Sequence, residues 1–294
     1  MKTFRPPVIE DEQETLALEG GDLAFRRSDA TFGDEVPLVL VHGWCSNMHS
    51  LARQFDHFAR TRPVLAVDLR GHGASAAMGG PYTVEQLAAD VLALVDHVGW
   101  RGASVAGHSM GGAVAMEASR LAPDAFGAIV LLDGYGCFPD PERSQMGETL
   151  LAQVEAVGLP AVLQILVEQF FFLPGADDAL KAWVHSELSS TDPATAIPLY
   201  RDLLEWDGAR ASTECGVPVL NLVAQAPFNP HERFLEVCPH AVAGQTVGAG
   251  HFHVFEVAGQ VNSMMATFLE RAAAGLVPVA PAPASGAGPG DSVE

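Results

Sequence analysis

Four short apolar runs punctuate the first 134 residues: "VPLVLVHG" (36–43), "RPVLAVDLRGHG" (62–73), "ASVAGHS" (103–109) and "GAIVLLDG" (127–134). Each lacks the apolar/polar alternation of a half-solvated strand, so each reads as a strand covered on both faces. Helix-patterned stretches separate them: "SLARQFDHFAR", "TVEQLAADVLALVDHVG" and "GGAVAMEASRLAP". The middle one opens with Thr83 and Gln86 in capping-box spacing and closes at Gly99. Strand and helix in strict alternation imply an α/β fold, with a mostly parallel sheet and helices on both faces.

Ahead of this core, "TLALEGGDLAFRR" reads as a hairpin turning at Gly20-Gly21. The rhythm breaks after Asp133: residues 137–212 are helix-patterned throughout, and strand character returns at "VPVLNLVAQAP" (217–227), then at "AVAGQTVGAGH". The expected organisation is a core of residues 1–136 and 213–274, closed by a final helix, with a helical cap inserted at 137–212. The Pro/Ala/Gly-rich segment 275–294 cannot bury a core and is expected to be disordered.

Acidic residues outnumber basic ones by 36 to 16, a formal charge of −20 that argues against nucleic-acid and anionic-membrane partners. No apolar run is long enough to span a bilayer, and the first residues lack the apolar stretch of a secretory signal. Cys45, Cys137, Cys215 and Cys238 are scattered and suit reduced thiols in a cytoplasmic protein. No phosphate loop, dinucleotide fingerprint or metal-ligand cluster is present, so no cofactor and no metal are expected.

"GHSMGG" (107–112) falls where a strand gives way to a helix. There a serine is forced onto a strained turn, and Gly107 and Gly111 remove β-carbons that would collide across it. Ser109 is the candidate nucleophile, presented at the carboxyl edge of the sheet. It needs a base, and His251 in "GAGHFHVFE" follows the last strand by a short glycine-rich loop to the same edge. His253 is the weaker candidate, facing the pocket entrance. His108 points away from the serine and packs. His42 and His72 act as structural hydrogen bonders.

"LVLVHGW", "DLRGHGAS", "GHSMGG" and "GAGHF" stand in the order and spacing of the α/β-hydrolase superfamily, which the chain resembles from about residue 36 to 270 outside the helical insertion. The resemblance implies a catalytic triad, an oxyanion hole from the Trp44 and Met110 backbone N–H groups, and a structural role for Asp68 and Arg70 in "DLRGHG". In most members the triad acid follows the strand matching "VPVLNLVAQAPFNP", and here that loop holds no carboxylate. Asp133 is the nearest alternative at the same edge, and some branches of the family place their acid there. If Asp133 only caps a turn, Glu256, Asp207 or a water serves instead.

The insertion is expected to cover Ser109. Phe170, Phe171 and Phe172 cannot all face one side of a helix, so at least one meets the pocket or joins cap to core. Phe171 and Trp44 are the expected substrate-lining residues, with Trp183 and Trp206 as possible additions. The reading is a cofactor-free serine hydrolase cleaving an ester, thioester or lactone of a small molecule with an apolar portion. Two rivals stand beside it. One is a cofactor-independent ring-cleaving dioxygenase or C–C bond hydrolase on the same fold, the other a non-catalytic ligand-binding protein.

Overall fold

The computed structural model describes residues 4–28, 33, 35–136 and 141–280. The hairpin β1 (Gln13–Leu18) and β2 (Gly21–Arg27) turns at Gly20 and Gly21, with φ of 97° and 143°. The alternating segment follows as β3 (Leu38–Val41), α1 (Ala52–Phe58), β4 (Val64–Val67), α2 (Val84–His97), β5 (Ala103–His108), α3 (Met110–Leu121) and β6 (Phe126–Leu132). Next comes a helical block: α4 (Pro141–Val157), α5 (Leu159–Leu166), a π-turn at Val167–Phe171, α6 (Asp178–Leu188), α7 (Pro193–Glu205) and α8 (Gly208–Thr213). The chain closes with β7 (Val219–Val223), α9 (His231–Val237), β8 (Val242–Gln245), α10 (His253–Glu256) and α11 (Ala258–Ala273).

The eight strands form one sheet in the order β1-β2-β4-β3-β5-β6-β7-β8. Every pair from β4 to β8 is parallel, and the hairpin adds two antiparallel strands at one edge. β3, β4, β5 and β7 are buried at every residue because helices cover both faces. Successive side chains then serve opposite cores. Leu38 and Leu40 join α1 and α11, whereas Val39 and Val41 join α2 and α3.

Thr83 caps α2 as its spacing predicts, accepting from the Gln86 N–H at 3.1 Å. The Gln86 amide nitrogen donates to Asp90 at 3.0 Å. Asp90 is engaged in a buried ion pair, taking two 2.7 Å hydrogen bonds from Arg70 and so tying the "DLRGHG" loop to α2. Asp68 accepts from the Met48 and Ala74 N–H groups in the same loop system.

Residues of α4, α5 and α6 pack with the α1/α11 core, while Leu199 and Leu203 of α7 and Ala211 of α8 join the α2/α3 core. α9 and α10 are short helices whose sequences carry too few turns for a periodic signal. Of the segments read from sequence, 137–140 at the start of the expected cap and 281–294 of the tail lie outside the described residues. Val277 packs on the α1/α11 core. Cys45, Cys215 and Cys238 are buried, and Cys137 lies outside the described residues. No helix among the described residues is long and apolar enough to cross a membrane.

Candidate active site

Three non-glycine residues among those described have positive φ: Cys45 at 59°, Ser109 at 53° and Asp133 at 43°. They stand just past the carboxyl ends of β3, β5 and β6, three neighbouring strands. Backbone strain of this kind costs of order 1–3 kcal/mol per residue and persists where surrounding structure enforces it. At Ser109 the enforcement is visible. Its N–H donates to the Leu132 carbonyl at 3.1 Å, and its own carbonyl accepts from Gly112 and Tyr135 at 2.9 Å each.

A β-carbon on Gly107 would strike the Gly111 carbonyl, and one on Gly111 would strike the Val41 and His42 carbonyls. Both obstacles are backbone, so neither can swing aside. Gly111→Ala is therefore expected to destabilise the fold by about 3 kcal/mol or more, read as a lowered denaturant midpoint at unchanged slope.

Asp133 is fully buried, and its Oδ2 lies 2.7 Å from Nδ1 of His251. Its Oδ1 accepts from the Ala224 N–H at 3.1 Å, so the carboxylate bridges from the end of β6 to the end of β7. The β7 loop thus supplies an N–H to an acid carried by its neighbour. Glu256 accepts from the Gly250 N–H, and Asp207 caps α8 through the Arg210 N–H. Of the three carboxylates weighed from sequence, Asp133 is the one that touches the imidazole. With Nδ1 committed to Asp133, Nε2 is the nitrogen left to exchange a proton.

His251 is 5 % exposed and walled by aromatic rings. Phe171 lies 5.1 Å from it, and Phe228, from the carboxylate-free β7 loop, stands edge-on at 4.6 Å. Gly250 permits this closeness, since a β-carbon there would strike the Phe171 carbonyl. The three phenylalanines point to different surroundings, Phe172 being extended backbone just past the π-turn. Phe170 is exposed, Phe171 borders the site and Phe172 stacks on Phe252 beneath it.

Two histidines differ from their sequence reading. His108 does not point away: it borders the same cavity as Ser109, its ring 4.7 Å from that of His251. Its Nε2 donates to the His251 carbonyl at 3.0 Å, leaving Nδ1 bare and unpartnered. His253 does not face the entrance but is fully buried against the Thr246 hydroxyl. Burial, reinforced by His251, holds His108 well below the usual histidine range, and burial lowers His253 to about 4. His42 donates its role to the loops, accepting from the Leu69 N–H, and His72 accepts from the Cys45 N–H. Burial lowers these two to about 3 and about 4. All four are neutral at pH 7.

Met110 opens α3, so its N–H has no acceptor within the helix. Trp44 follows Gly43 on the neighbouring loop, and both border the cavity. The Trp44 indole donates to the Ala196 carbonyl at 2.9 Å and packs 4.7 Å from Tyr200, anchoring the loop to α7. Trp206 is tied to Glu117 on α3, and Trp183 packs on Phe255, so neither lines this cavity. Phe171, Leu188 and Phe252 complete its apolar wall, enclosing about 40 Å³, room for about three waters. Sequence reasoning missed Leu188, Phe228 and Phe252. The "FHVF" pattern around His251 was the one available signal for Phe252.

The match to known proteins decides the family. Residues 36–212 fit the alpha/beta hydrolase fold. The chain belongs to the α/β-hydrolase family. This α/β-hydrolase is 29% identical over 253 residues to the dihydrolipoyllysine-residue acetyltransferase component of the acetoin cleaving system of Pseudomonas putida, covering 80% of this chain but 64% of that one. It thus spans less than two thirds of that relative. It is 27% identical to 3-oxoadipate enol-lactonase 2 of Acinetobacter baylyi, over 76% of this chain and 78% of the relative. Among solved structures, an esterase from Thermogutta terrifontis superposes with a TM-score of 0.76 at 21% identity, covering 89% of this chain and 99% of that one.

Proposed function

We propose that this hydrolase is a serine hydrolase that cleaves a carboxylic ester, thioester or lactone through an acyl-enzyme on Ser109. The observation that carries the reading is the 2.7 Å contact between the buried Asp133 carboxylate and His251, beside the strained Ser109 turn. His251 takes the Ser109 proton at Nε2 as the hydroxyl oxygen attacks the carbonyl carbon. The negative oxygen that forms is met by the Trp44 and Met110 N–H groups. The imidazolium, held by Asp133, returns its proton to the departing alcohol. A water deprotonated by His251 then attacks the acyl carbon, and Ser109 recovers its proton. No cofactor enters these steps.

Neutral His108 beside His251 suits the scheme, because a cation there would oppose the charge that His251 acquires. The apolar wall of Phe171, Leu188 and Phe252 suits an apolar substrate portion, and the helical block from residue 141 to 212 acts as its cap. The enol-lactonase and esterase names among the similar proteins fit this reaction class.

A fluorophosphonate probe tests the reading. It is expected to label the protein once per chain, on the peptide carrying Ser109, and to abolish turnover of short-chain nitrophenyl esters in proportion to labelling. That turnover should be unchanged under strict anaerobiosis. Activity that needs oxygen and survives full labelling would transfer the site to the dioxygenase reading.

A further inference from the structure

A second, smaller cavity adjoins the first and shares Ser46, Leu188 and Phe252 as walls. Its remaining walls come from the segment after β3 (Asn47, Ser50), from α6 (Trp183, Val184, Glu187) and from Phe255 of α10. It has space of about 10 Å³, enough for one water-sized group.

Its polar groups are unevenly satisfied. Ser50 is 4 % exposed and borders the cavity, yet its hydroxyl has no hydrogen-bond partner among the described residues. Buried hydroxyls are rarely left so, and each exception asks for an explanation, of which an occupant is one. Glu187 accepts from the Asn47 amide at 2.6 Å and forms no salt bridge among the described residues. Asn47 is held from both ends, its amide donating to Glu187 and its carbonyl oxygen taking the His49 N–H. His49 does not neutralise the carboxylate. Its Nδ1 accepts from the Ile9 N–H, and burial lowers its pKa. Trp183 and Phe255, 5.0 Å apart, present ring surface to the same space.

We infer that this cavity is a subsite for the far end of the substrate's acyl chain, and that the end it takes is a primary ammonium. The inference rests on the serine-hydrolase reading. A –NH₃⁺ group is water-sized, supplies donors for the Ser50 hydroxyl and the Glu187 carboxylate, and is attracted by aromatic faces. A trimethylammonium is too large for the space. A carboxylate tail would meet Glu187 as a like charge, with no arginine or lysine among the described residues that wall either cavity. The acyl chain is the part that stays on Ser109 while the alcohol departs, which suits a subsite beyond the catalytic cavity.

The test compares nitrophenyl esters of 5-aminopentanoate and 6-aminohexanoate with hexanoate and heptanoate, which replace –NH₃⁺ by –CH₃, and with the ω-hydroxy esters. Wild type is expected to favour an ammonium tail in kcat/KM by about tenfold or more over both others. In Glu187→Gln, which can keep the Asn47 contact, the ratio should fall to about one. Ser50→Ala should raise KM for the ammonium ester while raising Tm, since it removes an unsatisfied group. Calorimetric titration with n-hexylammonium and 1-hexanol reads the subsite without turnover, and ammonium binding that Glu187→Gln abolishes would uphold it. Equal or lower kcat/KM for ammonium tails at both lengths, with Ser109 still labelled and neutral esters still cleaved, overturns the subsite and leaves the serine-hydrolase reading intact. Absent labelling and turnover sink that reading instead, and absent ammonium binding then sinks the subsite too.

Discussion

Ser109→Ala is expected to lower kcat for ester turnover by about 10⁴-fold or more, with the protein still folded. The substitution removes one oxygen and nothing else. The turn is held by backbone hydrogen bonds to Leu132, Gly112 and Tyr135, none of which involves the Ser109 side chain. Alanine meets the same φ of 53° with the same β-carbon, so the strain is carried over unchanged. Stability should shift by no more than about 0.5 kcal/mol, the range of substitutions that break no named interaction. Activity should fall to the residue left by binding and oxyanion stabilisation alone. Stopped-flow traces should also lose any burst of nitrophenolate, because no acyl-enzyme can form. Turnover within tenfold of wild type, in protein shown by mass to carry alanine, would remove Ser109 from the mechanism.

The second large effect is expected at Asp133. Asparagine keeps the shape, and its carbonyl oxygen can still accept from the Ala224 N–H. That choice turns the amide –NH₂ toward His251 Nδ1, now a donor where an acceptor stood 2.7 Å away. The imidazole must then carry its proton on Nε2, the nitrogen that the proposed mechanism needs free, and cannot act as base. Loss of about 10³- to 10⁴-fold in kcat with little change in KM is the signature of this tautomer error. Fluorophosphonate labelling should slow in parallel. Glu256→Gln is the contrast, since Glu256 holds the loop at Gly250 without touching the imidazole. It should leave kcat within a few-fold of wild type. Equal losses in the two variants, or wild-type rates in Asp133→Asn, would take the acid role from Asp133.

The architecture was legible because its signals are local and periodic. Uninterrupted apolar runs such as "LVLV" and "VLNLV" can be satisfied only by burial on both faces, and the helices between them force parallel pairing. Gly107 and Gly111 announced the turn at Ser109 because their absent side chains are the condition for it. His251 and Asp133 could be placed at one edge from chain order alone, each following a strand at its carboxyl end.

What the sequence could not decide is where side chains point once distant loops meet. His108 and His253 each lie within two residues of a candidate catalytic group, yet one borders the cavity and the other is sealed against Thr246. The carboxylate missing from the β7 loop left the acid open among three residues. Only the packing of β6 beside β7 let Asp133 bridge the gap, with Ala224 donating to one oxygen and His251 meeting the other. Phe228 and Trp44 were likewise settled by partners far along the chain, the former by His251 and the latter by Ala196 and Tyr200. Backbone periodicity is written in neighbouring residues, whereas side-chain direction at a loop is set by contacts that exist only after the chain has closed on itself.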